Sequence, residues 1–230
     1  MEQKKYTFED FREIVASLRG EHGCPWDKAQ THESLERYLI EETYEAVEGI
    51  RRFSETGDAD NLREELGDVL FQVVLHAQIA REEGVFTLDD VVQEVSEKMV
   101  RRHPHVFAPE DPAKIRSWDE IKRQEKEGRR KMGKALEEIP AAFPALIRAV
   151  KAQKKLEPET VTAAEAAGRA RRLLEAFDQD AVSSEDAEKR IGDLLYEICR
   201  LSGAAGVYPE KALADTVEEK IRRRNICEIP

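Results

Sequence analysis

LIEETYEAVEGI (residues 39–50) and LREELGDVLFQVVLHAQIA (residues 62–80) both read as helices, and both carry carboxylates where a helix should bury hydrocarbon. In the first, Leu35, Tyr38, Leu39, Ala46, Ile50 and Phe53 recur at helical spacing and define one apolar stripe. At about 100° per residue, Glu42 falls near the middle of that stripe and Glu45 on its edge. In the second, Asp68 is the only charged residue from Gly67 through Ala80, with Glu65 one turn before it. A carboxylate on a buried face needs a hydrogen-bonding partner or a cation.

The intervening RRFSETGDAD (51–60) breaks the helical pattern and joins the two helices as a hairpin. Residues three apart share a helix face, so Glu42/Glu45 and Glu65/Asp68 are two pairs that can face each other across it. Two carboxylates ~5 Å apart repel by roughly 3 kcal/mol at an effective dielectric of about 20. A hard divalent cation removes that repulsion: Mg2+, with Mn2+ as a substitute, suits an all-carboxylate set that shares its ligands with phosphate. The absence of Glu-x-x-His spacing argues against a di-iron carboxylate bundle. A lone Glu-x-x-Glu is common on solvated helices; these pairs differ in lying on or beside buried stripes. Lys98 and Arg102 flank a further stripe of Val91, Val92, Val95 and Met99, with Arg101 beside them. Alone they would be a basic helix end favoured by the helix dipole. Together with the acids they point to a phosphorylated substrate.

Composition narrows the class. The chain has 230 residues, 37% of them charged, with 48 acidic against 37 basic and a net charge of −11. That balance argues against a nucleic acid polymer as partner. No apolar run approaches the ~20 residues of a membrane span, and MEQKKYTFED has no hydrophobic signal core, so a cytoplasmic protein is expected. Cys24, Cys199 and Cys227 are odd in number and far apart, which suits free thiols in a reducing compartment.

The fold class expected is all-α. TFED, TLDD and SWDE are capping boxes starting at Thr7, Thr87 and Ser117, and Thr31 is a further cap. Helices are expected at about 7–20, 33–54, 60–83, 87–102, 117–132, 144–156, 163–177, 184–203 and 209–225. RGEHGCPWDKAQTH (19–32) and RRHPHVFAPEDPAK (101–114) read as irregular. A joint near EEIPAAFPA divides the chain into domains 1–136 and 137–230, and these resemble each other. LGDVLFQVV (66–74) matches IGDLLYEIC (191–199), GVF (84–86) matches GVY (206–208), and SEKMVRRH (96–103) matches EEKIRRRN (218–225). KAQ recurs at 28–30 and 151–153. The conserved order of these words implies duplication of one helical unit.

The pattern Glu-Glu-x-x-Glu, a spacer, then Glu-x-x-Asp is here Glu41, Glu42, Glu45, Glu65 and Asp68. With GCPWDKAQTHESL, EELGDVLFQVV and KMVRRHPHVF, it resembles the MazG family of nucleoside triphosphate pyrophosphohydrolases over nearly the whole chain. The resemblance implies an all-α, Mg2+-dependent, homodimeric enzyme that converts a nucleoside triphosphate to monophosphate and pyrophosphate. By carry-over, Glu42, Glu45, Glu65 and Asp68 hold the metal, and Lys98 and Arg102 meet the phosphates. Glu41 or another site carboxylate would handle the attacking water. Trp26 and Gln30 are candidates for stacking on, or hydrogen-bonding to, the base, with Arg101 a further substrate contact.

The second half departs from the pattern. Aligning ARRLLEAF with IEETYEAV sets Arg172 opposite Glu42 and Glu175 opposite Glu45; the Gly-Asp copies set Arg190 opposite Glu65 and Asp193 opposite Asp68. Two arginines cancel the charge that would attract a cation, so this copy is expected to be non-catalytic. Lys220 and Arg224 persist opposite Lys98 and Arg102. The alternative readings are a nucleotide-binding regulator or sensor without turnover, and a helical scaffold that acts through dimerisation.

Overall fold

The computed structural model describes residues 4–109, 120–121, 139–156, 161–175, 177 and 184–227. Every regular element among them is helical. The chain divides into two compact units, Met1–Glu127 and Gly128–Pro230. The expected helix at 117–132 and the cap at Ser117 lie outside the described residues, apart from residues 120–121.

The first unit holds α1 (Phe8–Arg19), α2 (Pro25–Ala29), α3 (His32–Thr56), α4 (Asp60–Glu82), α5 (Leu88–Arg102) and α6 (Pro104–Phe107). Capping boxes start α1 at Thr7, α3 at Thr31 and α5 at Thr87: each threonine hydroxyl accepts from the third helical N–H, and that residue's side chain returns to the cap backbone. Gly57, at φ 75°, stops α3 in the left-handed conformation glycine adopts without strain. The two segments expected to be irregular each contain a short helix, α2 and α6, and each starts on a proline. Proline suits a first helical turn because its missing N–H would have no partner there.

The α3–α4 hairpin is the backbone of the unit, and α1 and α5 pack on α4. Val15, Leu35, Val74, Leu75, Ala77, Ile79 and Leu88 form the core, with Phe11, Tyr38 and Phe71 packed against it. This core lies toward the α3 N-terminus and the α4 C-terminus. The opposite end of the hairpin, where the acids sit, is more open. On α3 the buried line runs through Leu35, Ala46 and Gly49, while Ile50 and Phe53 are exposed, contrary to the stripe read from sequence. Glycine explains the shift: a Cβ at Gly49 would lie 3.0 Å from Leu62 Cα and 3.3 Å from its N, so α4 passes directly over that position. On α5, Val92 and Val95 are exposed as well.

The second unit, taken by itself, repeats this plan. It holds α7 (Ala145–Leu156), α8 (Ala163–Glu175), α9 (Ser184–Ala204) and α10 (Pro209–Cys227). α8 and α9 form its main pair, and α7 and α10 pack on α9 as α1 and α5 pack on α4. α4 and α9 also end alike. Gly84 and Gly206 both adopt φ 70°, and the following N–H closes a 2.8–2.9 Å bond to the carbonyl five residues back, Val85 to Ala80 and Val207 to Ser202. The fold is thus all-α, with two related helical units.

Candidate metal and nucleotide site

The register of the hairpin brings the acids together. His32 meets His76 at one point and Gly49 meets Leu62 at another, so residues 42–45 of α3 lie opposite 65–68 of α4. Carboxylate oxygens of Glu42, Glu45 and Glu65 all lie within 4.8 Å of one another. Glu42 and Glu65 are half-buried and Glu45 is exposed. The carboxyl of Glu42 is pushed above its ordinary value, first by burial, then by the negative charges of Asp68, Glu45, Glu65 and Glu41. Asp68, half-buried one turn beyond Glu65, acts on Glu42 through its charge but stands outside the group of three.

Asn61 was not evident as a site residue from sequence. Its Nδ2 donates to Glu65 Oε1 at 2.8 Å and orients that carboxylate. The signal was available: an Asn four residues before a Glu on a helix is a recognised side-chain pair. Glu41 is exposed on the outer side of Glu42, and its charge bears on the Arg37 guanidinium one turn earlier. Arg37 Nη2 donates to the Tyr38 hydroxyl at 2.7 Å, and that bond is the first cause raising the guanidinium, with the Glu41 charge a lesser one.

Lys98 and Arg102 are half-buried on α5 and Arg101 is exposed. Among the described residues Lys98 makes no ion pair, which leaves its ammonium available.

The loop before α3 lies at the N-terminal end of that helix, with Trp26 reaching Tyr38. Trp26 is 47% exposed, and its ring meets Tyr38 edge-on at 5.7 Å between centroids. Tyr38 lies one helical turn before Glu42 on the same face, about 6 Å along the axis. Gln30 is bonded within the loop: Nε2 donates to the Trp26 carbonyl at 2.9 Å, and Oε1 accepts from Ser34 Oγ at 2.7 Å. Each of these amide groups retains one further hydrogen-bonding position.

The corresponding positions of the second unit look different. Arg172, Glu175 and Asp193 are exposed, and the half-buried Arg190 lies over the Phe177 ring at 5.9 Å. Among the described residues, the group of three convergent carboxylates occurs in the first unit alone.

Residues 30–107 match the profile of the MazG nucleotide pyrophosphohydrolase domain, a span that holds α3, α4 and α5 and stops short of the second unit. The nucleoside triphosphate pyrophosphohydrolase/pyrophosphatase MazG of Thermotoga maritima is 40% identical over 225 residues, covering 97% of this chain and 86% of that protein. The nucleoside triphosphate pyrophosphohydrolase of Escherichia coli K12 is 39% identical over 223 residues, covering 92% of this chain and 82% of that one. The uncharacterized protein YabN of Bacillus subtilis is 39% identical over 229 residues, of which this chain spans 45%.

Proposed function

This chain belongs to the MazG nucleotide pyrophosphohydrolase family, a family of hydrolases acting on phosphoric anhydrides, and from that premise we propose that it cleaves nucleoside triphosphates to nucleoside monophosphate and pyrophosphate in a Mg2+-dependent reaction at the first unit. The observation that carries this reading is the convergence of Glu42, Glu45 and Glu65 from two helices to within 4.8 Å, with Asp68 adding its charge.

The donor set fits a hard divalent cation. Its ligand atoms are all carboxylate oxygens, the choice of Mg2+ and, as a substitute, Mn2+. Burial first, and then neighbours of like charge, push the Glu42 carboxyl above its ordinary value, a cost that a cation would offset. We assign Glu42, Glu45, Glu65 and Asp68 as the metal-holding residues. When bound, the metal supplies charge neutralisation for the triphosphate and a template for in-line displacement.

The remaining roles belong to the chain itself. Glu41 is the exposed carboxylate assigned to hold or deprotonate the attacking water. Lys98 and Arg102 bind phosphate oxygens and take up the charge that moves onto the leaving pyrophosphate. Arg101 adds a peripheral substrate contact. Trp26 offers a half-exposed aromatic surface for the base, and Gln30 its remaining amide positions. Residues 137–230 act as a non-catalytic, structural domain.

Homodimerisation is part of this proposal. Ile40, Tyr44 and Val47 on α3, and Leu66, Leu70 and Val73 on α4, form exposed apolar lines at helical spacing. Ile191, Leu195 and Ile198 repeat the α4 line at the same register in the second unit. Apolar lines of this size call for a covering surface, and a second copy of the chain supplies one by symmetry. The setting proposed is cytoplasmic; among the described residues no helix is long and apolar enough to cross a membrane.

The test is pyrophosphate release across a panel of ribo- and deoxyribonucleoside triphosphates, with and without Mg2+. Metal-dependent release supports turnover. Tight nucleotide binding without release would indicate a regulator instead.

A further inference from the structure

The three carboxylates that converge between α3 and α4 are not held alike. Glu65 accepts a hydrogen bond from another side chain, Asn61 Nδ2, at 2.8 Å to its Oε1. Among the described residues Glu42 and Glu45 accept none, so each is free to turn its oxygens. The donor stands one turn before Glu65 on the same helix, the spacing at which an amide and a carboxylate meet on one face. An ionised carboxylate only accepts, so the amide must turn its nitrogen toward Glu65 and its oxygen away.

The oxygen end of that amide is seated as well. A Cβ at Gly49 would lie 3.4 Å from Asn61 Oδ1 and 3.0 Å from Leu62 Cα, and Gly49 is itself buried. Gly49 stands one turn beyond Glu45 on α3, so the half-buried Asn61 side chain lies in the seam between the two helices that carry the acids. Its oxygen rests against the bare α3 backbone and its nitrogen holds Glu65. A side chain bounded at both ends of its amide has little rotamer freedom, and it passes that fixity to the group it bonds. The second unit carries Asp186 and Arg190 at the positions of Asn61 and Glu65, so the amide donor is lost where the glutamate it serves is lost.

Fixing one carboxylate bears on which ion the site prefers. Mg2+ demands near-octahedral geometry at about 2.0–2.1 Å, whereas Ca2+ accepts looser geometry at about 2.3–2.6 Å and often takes both oxygens of one carboxylate. With Oε1 engaged by Asn61, Glu65 has one oxygen left wholly open. A glutamate that offers one oxygen in a fixed direction suits the smaller ion; one that can swing and offer both suits the larger.

We infer that Asn61 is a positioning residue that holds Glu65 to a single ion-facing oxygen and thereby biases the site toward Mg2+ over Ca2+. The inference rests on the metal reading above and adds to it a device for selecting the ion.

The experiment is isothermal titration calorimetry of Mg2+ and of Ca2+ into chelator-treated full-length wild type, Asn61→Leu, Asn61→Ala and Asn61→Gln, with Tm in chelator confirming that each variant is folded. Leucine keeps the branched shape against Gly49 but has no donor; alanine removes the donor without filling the seam. Both should raise the Mg2+ Kd about ten- to a hundredfold, the usual cost of losing an outer-shell partner, while the Ca2+ Kd stays within about threefold. Asn61→Gln keeps an amide donor and should recover Mg2+ binding at least in part. A general loosening of the hairpin would weaken both ions together, so the ratio of the two Kd values separates positioning from a merely structural role. Unchanged Mg2+ affinity in Asn61→Leu and Asn61→Ala, or an equal loss for Mg2+ and Ca2+, would overturn the inference. A wild-type protein that binds neither ion would instead overturn the metal reading proposed above.

Discussion

In metal-free buffer, Glu42→Gln should make the protein more stable. Glu42 shares a 4.8 Å neighbourhood with Glu45 and Glu65, and Asp68 adds to the field. Two full charges that far apart repel by about 0.9 kcal/mol in bulk water and about 3.5 kcal/mol at an effective dielectric of about 20. The site is half-open, so the lower part of that range applies to each pair. Removing the Glu42 charge should then return about 1–3 kcal/mol, or roughly 2–8 °C in the Tm of the first unit. The gain should shrink in high salt, where exposed charges are screened. The pH dependence has a definite sign. The folded pKa of Glu42 lies above its ordinary 4.5, so its contribution favours the folded state at low pH. That contribution is lost as pH rises from 4.5 through the raised value, and Glu42→Gln should remove this part of the profile. With Mg2+ at about 100 times its Kd, wild type should gain about 2.7 kcal/mol and the variant far less. Differential scanning calorimetry in chelator and in Mg2+ reads both effects. A variant that melts below wild type in chelator would mean that Glu42 has an internal partner and that the repulsion argument is wrong.

Three further outcomes are expected. Lys98→Ala and Arg102→Ala should each cost about 1.5–3 kcal/mol in kcat/KM, one to two decades, with little change in Tm; unchanged kinetics would return both to the surface. Leu70→Glu, on the exposed α4 line, should shift the protein from dimer to monomer in light scattering, and an unchanged mass would place the interface elsewhere. His76 stacks on His32 with Nδ1 atoms 2.7 Å apart, and burial followed by the neighbouring ring pushes its pKa below 6.5. The unfolded chain therefore binds more protons below pH 6.5, so stability should fall as pH drops through that value, and His76→Gln should flatten the slope in urea titrations.

The helices were legible because their ends are chemically marked. Thr7, Thr31 and Thr87 place three starts within a residue or so, and long apolar periods fill the spans between. The acidic pairs were legible for the same reason: helical spacing fixes which face a residue shares. What local pattern does not encode is where helices touch. The α3 stripe was placed through Ile50 and Phe53, but contact at Gly49 turns those two outward. A glycine inside a helical run was the available hint. Helix α2 was read as loop because its glycines and proline dominate the segment; its C-terminal carbonyls are satisfied by Arg19, a contact set by tertiary packing. Asp68 shares the helix face of Glu65 and acts on Glu42 through its charge, while the three glutamate carboxylates are the ones that converge. A further cap stands at Thr162, whose hydroxyl accepts from Glu165 N–H at 3.3 Å, and TAAE carries its Thr-x-x-Glu form.

Pyrophosphate release by full-length Glu45→Gln, with saturating Mg2+ and the best nucleotide of the panel, tests the central claim most directly. Glu45 is the most exposed of the three convergent carboxylates, so its replacement by an isosteric amide leaves the fold intact while removing a metal-holding oxygen. Release should fall to background even though the second unit, with Arg172 and Arg190 at the acidic positions, is unaltered. Metal-dependent release near the wild-type rate would contradict the account, because the chemistry would then reside outside the Glu42, Glu45 and Glu65 cluster.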